Sequence, residues 1–235
     1  MKSILFVRGF ATPLSSGMDD YLQFKLLLSG SRDFVYFDYD PSEAPDALYA
    51  RMCSVIEARK FDVLMGHSLG GGLLAKYCKL NPLEVPRYES IILLMPFLCK
   101  NIAFDLFTLL SFAQNMLFPK ALFAPLSKIA EGGNIFNDDY SLISFKQPYV
   151  LYSEPDSAVS NDVSFIINNP NIIVFYASDE KLNVIDETVL QKIPSAQLKR
   201  VQGLHECWRS IRINSDSTTD FFTQLVCILR RPPCK

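Results

Sequence analysis

Histidine is the scarcest reactive residue in this sequence: 235 residues carry only two, His67 and His205. Any mechanism that needs a cluster of imidazoles is excluded at once. Long runs of one character are missing as well. Lys and Arg number 23 against 25 Asp and Glu, for a net charge of −2. Nothing resembles the basic stripe that a nucleic-acid binder carries, so no nucleic-acid partner is expected. The greasiest stretch, 102–118, is interrupted by Asp105, Gln114 and Asn115. It falls short of the roughly 18 uninterrupted apolar residues of a membrane span. The opening run Ile4-Leu5-Phe6-Val7 ends at Arg8. That is too short for a signal-peptide core of roughly 7–15 residues, and it reads as a buried strand. Six cysteines (Cys53, Cys78, Cys99, Cys207, Cys227 and Cys234) are scattered without any Cys-x-x-Cys spacing. They read as reduced thiols, which points to a cytoplasmic protein. The closing Pro-Pro-Cys-Lys does not place its cysteine for prenylation.

What remains is an ordinary globular composition, 49% hydrophobic and 20% charged, which excludes disorder and low-complexity arrays. The length suits one large domain spanning 1–235 rather than two small ones. Short apolar, β-branched and aromatic runs at 4–7, 34–37, 63–65, 91–95, 172–176 and 197–201 predict six strands. They are apolar on consecutive positions, as expected of a mainly parallel sheet covered by helices on both faces. Helices are predicted at 19–28, 44–59, 71–80, 186–192 and 218–229, giving an α/β architecture. One interval, 97–171, breaks this rhythm. It holds an extended segment near 148–152 and a turn at Gly132-Gly133, and a structureless loop of that length is improbable. It is read as an insertion with helices of its own.

The sharpest chemical signal is Gly66-His67-Ser68-Leu69-Gly70. A Gly-x-Ser-x-Gly pentapeptide is weak alone, but this one follows the strand-like 61–65 and opens a helix-like segment. That setting makes a nucleophile elbow, a sharp turn that needs small residues on either side of the serine. A serine hydroxyl needs a base to take its proton. His67 is adjacent to Ser68 and points to a different side of such a turn, so His205, on the loop after the last strand, is the available base. His205-Glu206-Cys207-Trp208-Arg209 lacks the second histidine of a zinc helix, and no cofactor or metal site is expected. The acid that steadies the base is assigned to Asp179, just past the strand at 172–176. Glu180 beside it and Asp156 after the extended segment are the competitors. Oxyanion donors are assigned to the main-chain N–H groups of Leu69 and of Phe10, the latter on the turn Arg8-Gly9-Phe10 after the first strand.

Together, the elbow, the order Ser68, Asp179, His205 and the glycine turn resemble the α/β-hydrolase superfamily, its serine esterases and lipases in particular. The resemblance runs from Ile4 to Leu229. It implies a catalytic triad, a compact version of the fold that starts at the strand before the oxyanion turn, and a helical lid formed by 97–171. One departure stands out. The family usually has histidine before the oxyanion-turn glycine, and here it is Arg8, read either as structural or as touching an anionic group of the substrate. Fold does not fix substrate. The insertion is crowded with apolar side chains such as Phe97, Leu98, Ile102, Phe104 and Phe107. Beyond those that pack it onto the domain, a surplus would line an apolar pocket. The expected activity is hydrolysis of a small-molecule carboxylic ester with an apolar acyl chain, a lipid or lysolipid among the candidates. A thioesterase, an acyltransferase and a non-catalytic binding module remain as alternatives.

Overall fold

The computed structural model describes residues 2–9, 33–39, 43–98, 162–180, 185–202 and 215–230. The strands are β1 (Ser3–Val7), β2 (Asp33–Phe37), β3 (Val63–His67), β4 (Ser90–Leu94), β5 (Ile172–Ala177) and β6 (Leu198–Val201). The α-helices are α1 (Pro45–Ala58), α2 (Leu69–Leu80), α3 (Ser164–Ile167), α4 (Glu187–Leu190) and α5 (Ser215–Leu229). All the strands run parallel in one sheet, ordered β2-β1-β3-β4-β5-β6.

The consecutive apolar positions follow from burial on both faces. Every residue of β3, β4 and β5 is buried. Leu5, Leu64, Ile91, Leu93 and Val174 belong to one core, which takes in Leu48 and Met52 of α1, Leu73 and Tyr77 of α2, Ile166 of α3 and Leu190 of α4. Their alternates Ile4, Phe6, Met65, Ile92 and Phe175 form the other core with Phe221, Leu225 and Ile228 of α5. The spacing of those three residues on α5 is that of a single helical stripe. The strand order reverses between β1 and β3: the chain leaves β1 to one side for β2, then returns across it to β3. In an open parallel sheet, the carboxyl ends of the strands diverge at such a point and leave a crevice.

The predicted strands match to within two residues at either end. The helix predicted over 71–80 begins at Leu69, because the Gly72 N–H already donates to the Ser68 carbonyl at 3.0 Å. The helix predicted over 186–192 is helical only from Glu187 to Leu190; Asp186 caps it by accepting from the Thr188 N–H at 2.7 Å. The strand predicted to reach residue 95 stops at Leu94, since Met95 takes a φ of 41°. The one-turn helix α3 had no sequence signal of its own. The predicted helix 19–28, the extended segment 148–152, the Gly132-Gly133 turn and most of the insertion 97–171 lie outside the described residues. At its two ends, Phe97, Leu98, Phe165 and Ile166 are buried in the core on the α1–α4 face. No helix among the described residues is long and apolar enough to cross a membrane.

Gln197 joins α3 to the sheet. Its side-chain amide, 3% exposed, donates to the carbonyls of Ile166 at 2.7 Å, Asn169 at 2.8 Å and Ile172 at 3.1 Å. Gln197→Ala removes these bonds together and should lower the unfolding free energy by about 1–3 kcal/mol. Urea denaturation should show this as a lower midpoint at unchanged slope.

Candidate active site

Ser68 links β3 to α2 with φ 50° and ψ −113°, a conformation on the left-handed side that a serine adopts only under constraint. Its N–H donates to the Leu94 carbonyl of β4 at 2.9 Å. Its side chain makes no cap to the helix it begins. The constraint is steric. A Cβ on Gly66 would lie 2.5 Å from the Gly70 carbonyl oxygen, and one on Gly70 would lie 2.2 Å from the Val7 carbonyl oxygen. Backbone therefore packs directly on backbone across the elbow, and Ser68 stands at the carboxyl end of β3, beside the point where the strand order reverses. Leu69, with its side chain buried, opens α2. Its N–H is among the first amides of the helix, which have no intrahelical acceptor and carry the positive end of the helix dipole.

The chain leaving β1 passes against this turn. A Cβ on Gly9 would lie 2.7 Å from His67 Nδ1 and 3.3 Å from Ser68 Cβ. His67 is buried, with its ring against Gly9. Phe10, the expected oxyanion donor, lies outside the described residues.

Asp179 lies two residues beyond β5 and is exposed, whereas Glu180 is 7% exposed. The turn that carries them is tied to the neighbouring strand, because the Ser178 N–H donates to the Val201 carbonyl at 2.8 Å. The chain toward His205 leaves β6 at Val201, so the turn that carries Asp179 and the start of that chain are held side by side. His205 and Asp156 themselves lie outside the described residues. The structure thus brings Ser68, Leu69 and Gly9 together and sets Asp179 at the same carboxyl edge of the sheet, two strands away. Among the described residues, no three His, Cys, Asp or Glu side chains gather as a metal site would require.

Asp38 and Tyr39, which carried no sequence signal, join this edge through Arg8. Arg8, 2% exposed, turns its Nε to the Asp38 carboxylate and donates through Nη2 to the Tyr39 carbonyl. Its guanidinium carbon lies 4.1 Å from the centre of the Tyr39 ring, and Nη1 donates to the Gly9 carbonyl at 3.3 Å. Asp38 and Tyr39 follow β2 directly, so only strand pairing brings them to Arg8.

No protein-family model matches the sequence, and no curated protein does either. Solved structures do match. The monoacylglycerol lipase of Paleococcus ferrophilus superposes with a TM-score of 0.65 at 15% identity, covering 96% of this chain and 93% of that one. MGS-M2, an α/β hydrolase from a Medee basin deep-sea metagenome library, gives 0.67 at 9% identity, covering 100% and 91%. A soluble variant of monoglyceride lipase from Saccharomyces cerevisiae, in complex with a substrate analogue, gives 0.61 at 16% identity, covering 100% and 88%. The chain has the α/β-hydrolase fold.

Within the α/β-hydrolase fold, the Ser68 backbone is a local store of strain, and a variant series should expose it. Ser68→Gly relieves the positive φ and should be more stable than Ser68→Ala by about 1 kcal/mol. Gly70→Ala forces a methyl group onto the Val7 carbonyl and should cost about 1–3 kcal/mol or more. Thermal unfolding of the three variants beside the parent protein checks the order.

Proposed function

We propose that this chain is a serine hydrolase that cleaves a carboxylic ester with an apolar acyl chain, using Ser68 as nucleophile, His205 as base and Asp179 as the acid behind it. The observation that carries the proposal is the Ser68 backbone: a positive φ, held by backbone packing at Gly66 and Gly70, at the carboxyl end of a central strand. Strain of this kind persists only where surrounding structure imposes it, and it is concentrated at functional sites. The names of two similar structures, a monoacylglycerol lipase and a monoglyceride lipase, favour a glycerol ester of a fatty acid within the wider ester class. The apolar residues of 97–171 fit the same substrate.

In this reading, His205 takes the Ser68 proton as the serine oxygen attacks the ester carbonyl. The Leu69 and Phe10 N–H groups stabilise the oxyanion that forms. Asp179 holds the imidazole in the tautomer that accepts this proton and stabilises the imidazolium. The tetrahedral intermediate collapses, the alcohol leaves with the proton from His205, and a covalent acyl-Ser68 remains. Water, activated by His205, attacks that acyl group, releasing the fatty acid and restoring the serine. Glu180 is the competing acid, since it is the better buried carboxylate of the pair.

A fluorophosphonate probe should label the parent protein and leave Ser68→Ala unlabelled. Ester turnover should fall at least about 10³-fold in Ser68→Ala and comparably in His205→Ala, with the double variant no worse than either, because the residues act as a unit. Full turnover by Ser68→Ala would overturn the reading. Chromogenic esters of increasing acyl length, run beside thioesters of matched length, define the acyl preference and separate an esterase from a thioesterase.

A further inference from the structure

Among the described residues, two that are not glycine take a positive φ: Ser68 at 50° and Met95 at 41°. They follow neighbouring strands, β3 and β4, directly. The Ser68 N–H donates to the carbonyl of Leu94, the residue before Met95, at 2.9 Å. The same peptide unit carries the Met95 N–H, which donates to the Phe175 carbonyl of β5 at 2.9 Å. A positive φ is uncommon for a bulky residue, and a following proline pushes that residue toward extended conformations instead. Met95 therefore holds a strained conformation that its surroundings impose. Its side chain is fully buried in the same core as that of Leu94, on the α5 face, so the alternation of the strand ends there. Phe97 and Leu98 enter the opposite core. Pro96, between Met95 and Phe97, lies on the first turn of α2. A Cβ on Gly71 would stand 3.0 Å from Pro96 Cβ and 3.1 Å from the Gly66 carbonyl oxygen.

We propose that Pro96, carried onto α2 by the left-handed Met95, is a positioning residue for Ser68. It bears on the first turn of the helix at Gly71, while the carbonyls of Val7 and Arg8 face Gly70 from the β1 side. The turn that begins at Ser68 is thus held between the chain ends of β1 and β4, the two strands that flank β3. This role rests on the serine-hydrolase reading above, with Pro96 acting through the elbow. Proline suits the place because its ring fixes φ and it has no N–H. It presents a stiff apolar surface to the helix and leaves no donor unsatisfied where the chain departs from the sheet. The strain at Met95 maintains the contact, since relaxing that φ would swing Pro96 away from Gly71. Misplacing a reacting group by about 1 Å can lower a rate by about 10²-fold, so a support this close to the nucleophile acts on the chemistry as well as on stability.

The decisive measurement is turnover of p-nitrophenyl butyrate per active site titrated with a fluorophosphonate, in the parent, Gly71→Ala, Pro96→Gly and the double variant. Alanine is a better helix former than glycine, so Gly71→Ala should fold with a melting temperature near that of the parent. Its methyl group meets Pro96 and must shift the turn by a few tenths of an ångström. The kcat per titrated site should fall by about 3–30-fold with KM within about threefold, and phosphonylation of Ser68 should slow by a similar factor. Pro96→Gly, which leaves the turn without its support, should lower kcat per site comparably. In the double variant the new methyl group takes up the space that the proline vacates, and kcat per site should return to within about threefold of the parent. The Gly66 carbonyl also lies near that methyl group, so this return is what assigns the effect to Pro96. If Pro96→Gly does not fold, Pro96→Ala takes its place, since opening the ring lets the residue recede. Unchanged kcat per site in the folded single variants, or losses that multiply in the double variant, overturn the Pro96 assignment alone. A parent protein that neither labels at Ser68 nor turns over esters overturns the serine-hydrolase reading, and the assignment with it.

Discussion

The first turn of α2 lies so close to the end of β1 that a single methyl group on Gly70 would meet the Val7 carbonyl oxygen at 2.2 Å, and the rest of the candidate site follows from that approach. With no side chain between helix and strand, the chain must leave β3 and enter α2 within one residue. That residue is Ser68, and the geometry leaves it a positive φ. The same approach brings the turn after β1 against the elbow, so Gly9 lies beside Ser68 and over His67. Ser68 and an adjacent backbone turn are thereby placed by main-chain packing alone. This is more rigid than placement by side chains, which can change rotamer.

The sheet supplies the frame that makes the approach possible. Burial of β3, β4 and β5 on both faces leaves these strands little freedom to shift. The reversal of strand order between β1 and β3 opens the carboxyl edge where Gly9 and Ser68 meet, so one topological feature makes the crevice and one packing contact sets Ser68 in it. The tie between Ser178 and Val201 does comparable work at the other side, bringing the turn that carries Asp179 to the start of the chain toward His205. Arg8 braces the remaining flank by joining the ends of β1 and β2.

Much of this is legible along the chain because it is local. A strand buried on both faces must be apolar at consecutive positions, which is why the six strands are readable from the sequence to within two residues. The elbow is legible for the same reason: the steric need for small residues around Ser68 falls within five consecutive positions. Local patterns fail where an element is short or held by distant partners. The helix at Ser164–Ile167 has too few residues to show a period, and what stabilises it includes the Gln197 amide. Met95 ends its strand early in a left-handed conformation that nothing about methionine announces. The sequence reading preferred Asp179 to Glu180 as the acid from its place past the strand, but it held no information on exposure, which leaves Asp179 open and Glu180 buried.

The sequence by itself determined the parallel α/β pattern and the small-residue elbow around Ser68, and with only two histidines it left His205 as the candidate base. Tertiary structure alone decided what Arg8 touches. Its partners Asp38 and Tyr39 lie about thirty residues further along the chain, just past the end of the neighbouring strand. A one-dimensional pattern records which residues recur at a period; it does not record which side chains a sheet brings face to face. Arg8 could be read from the sequence as structural or as a substrate contact, and its burial among those partners is seen only in the folded chain.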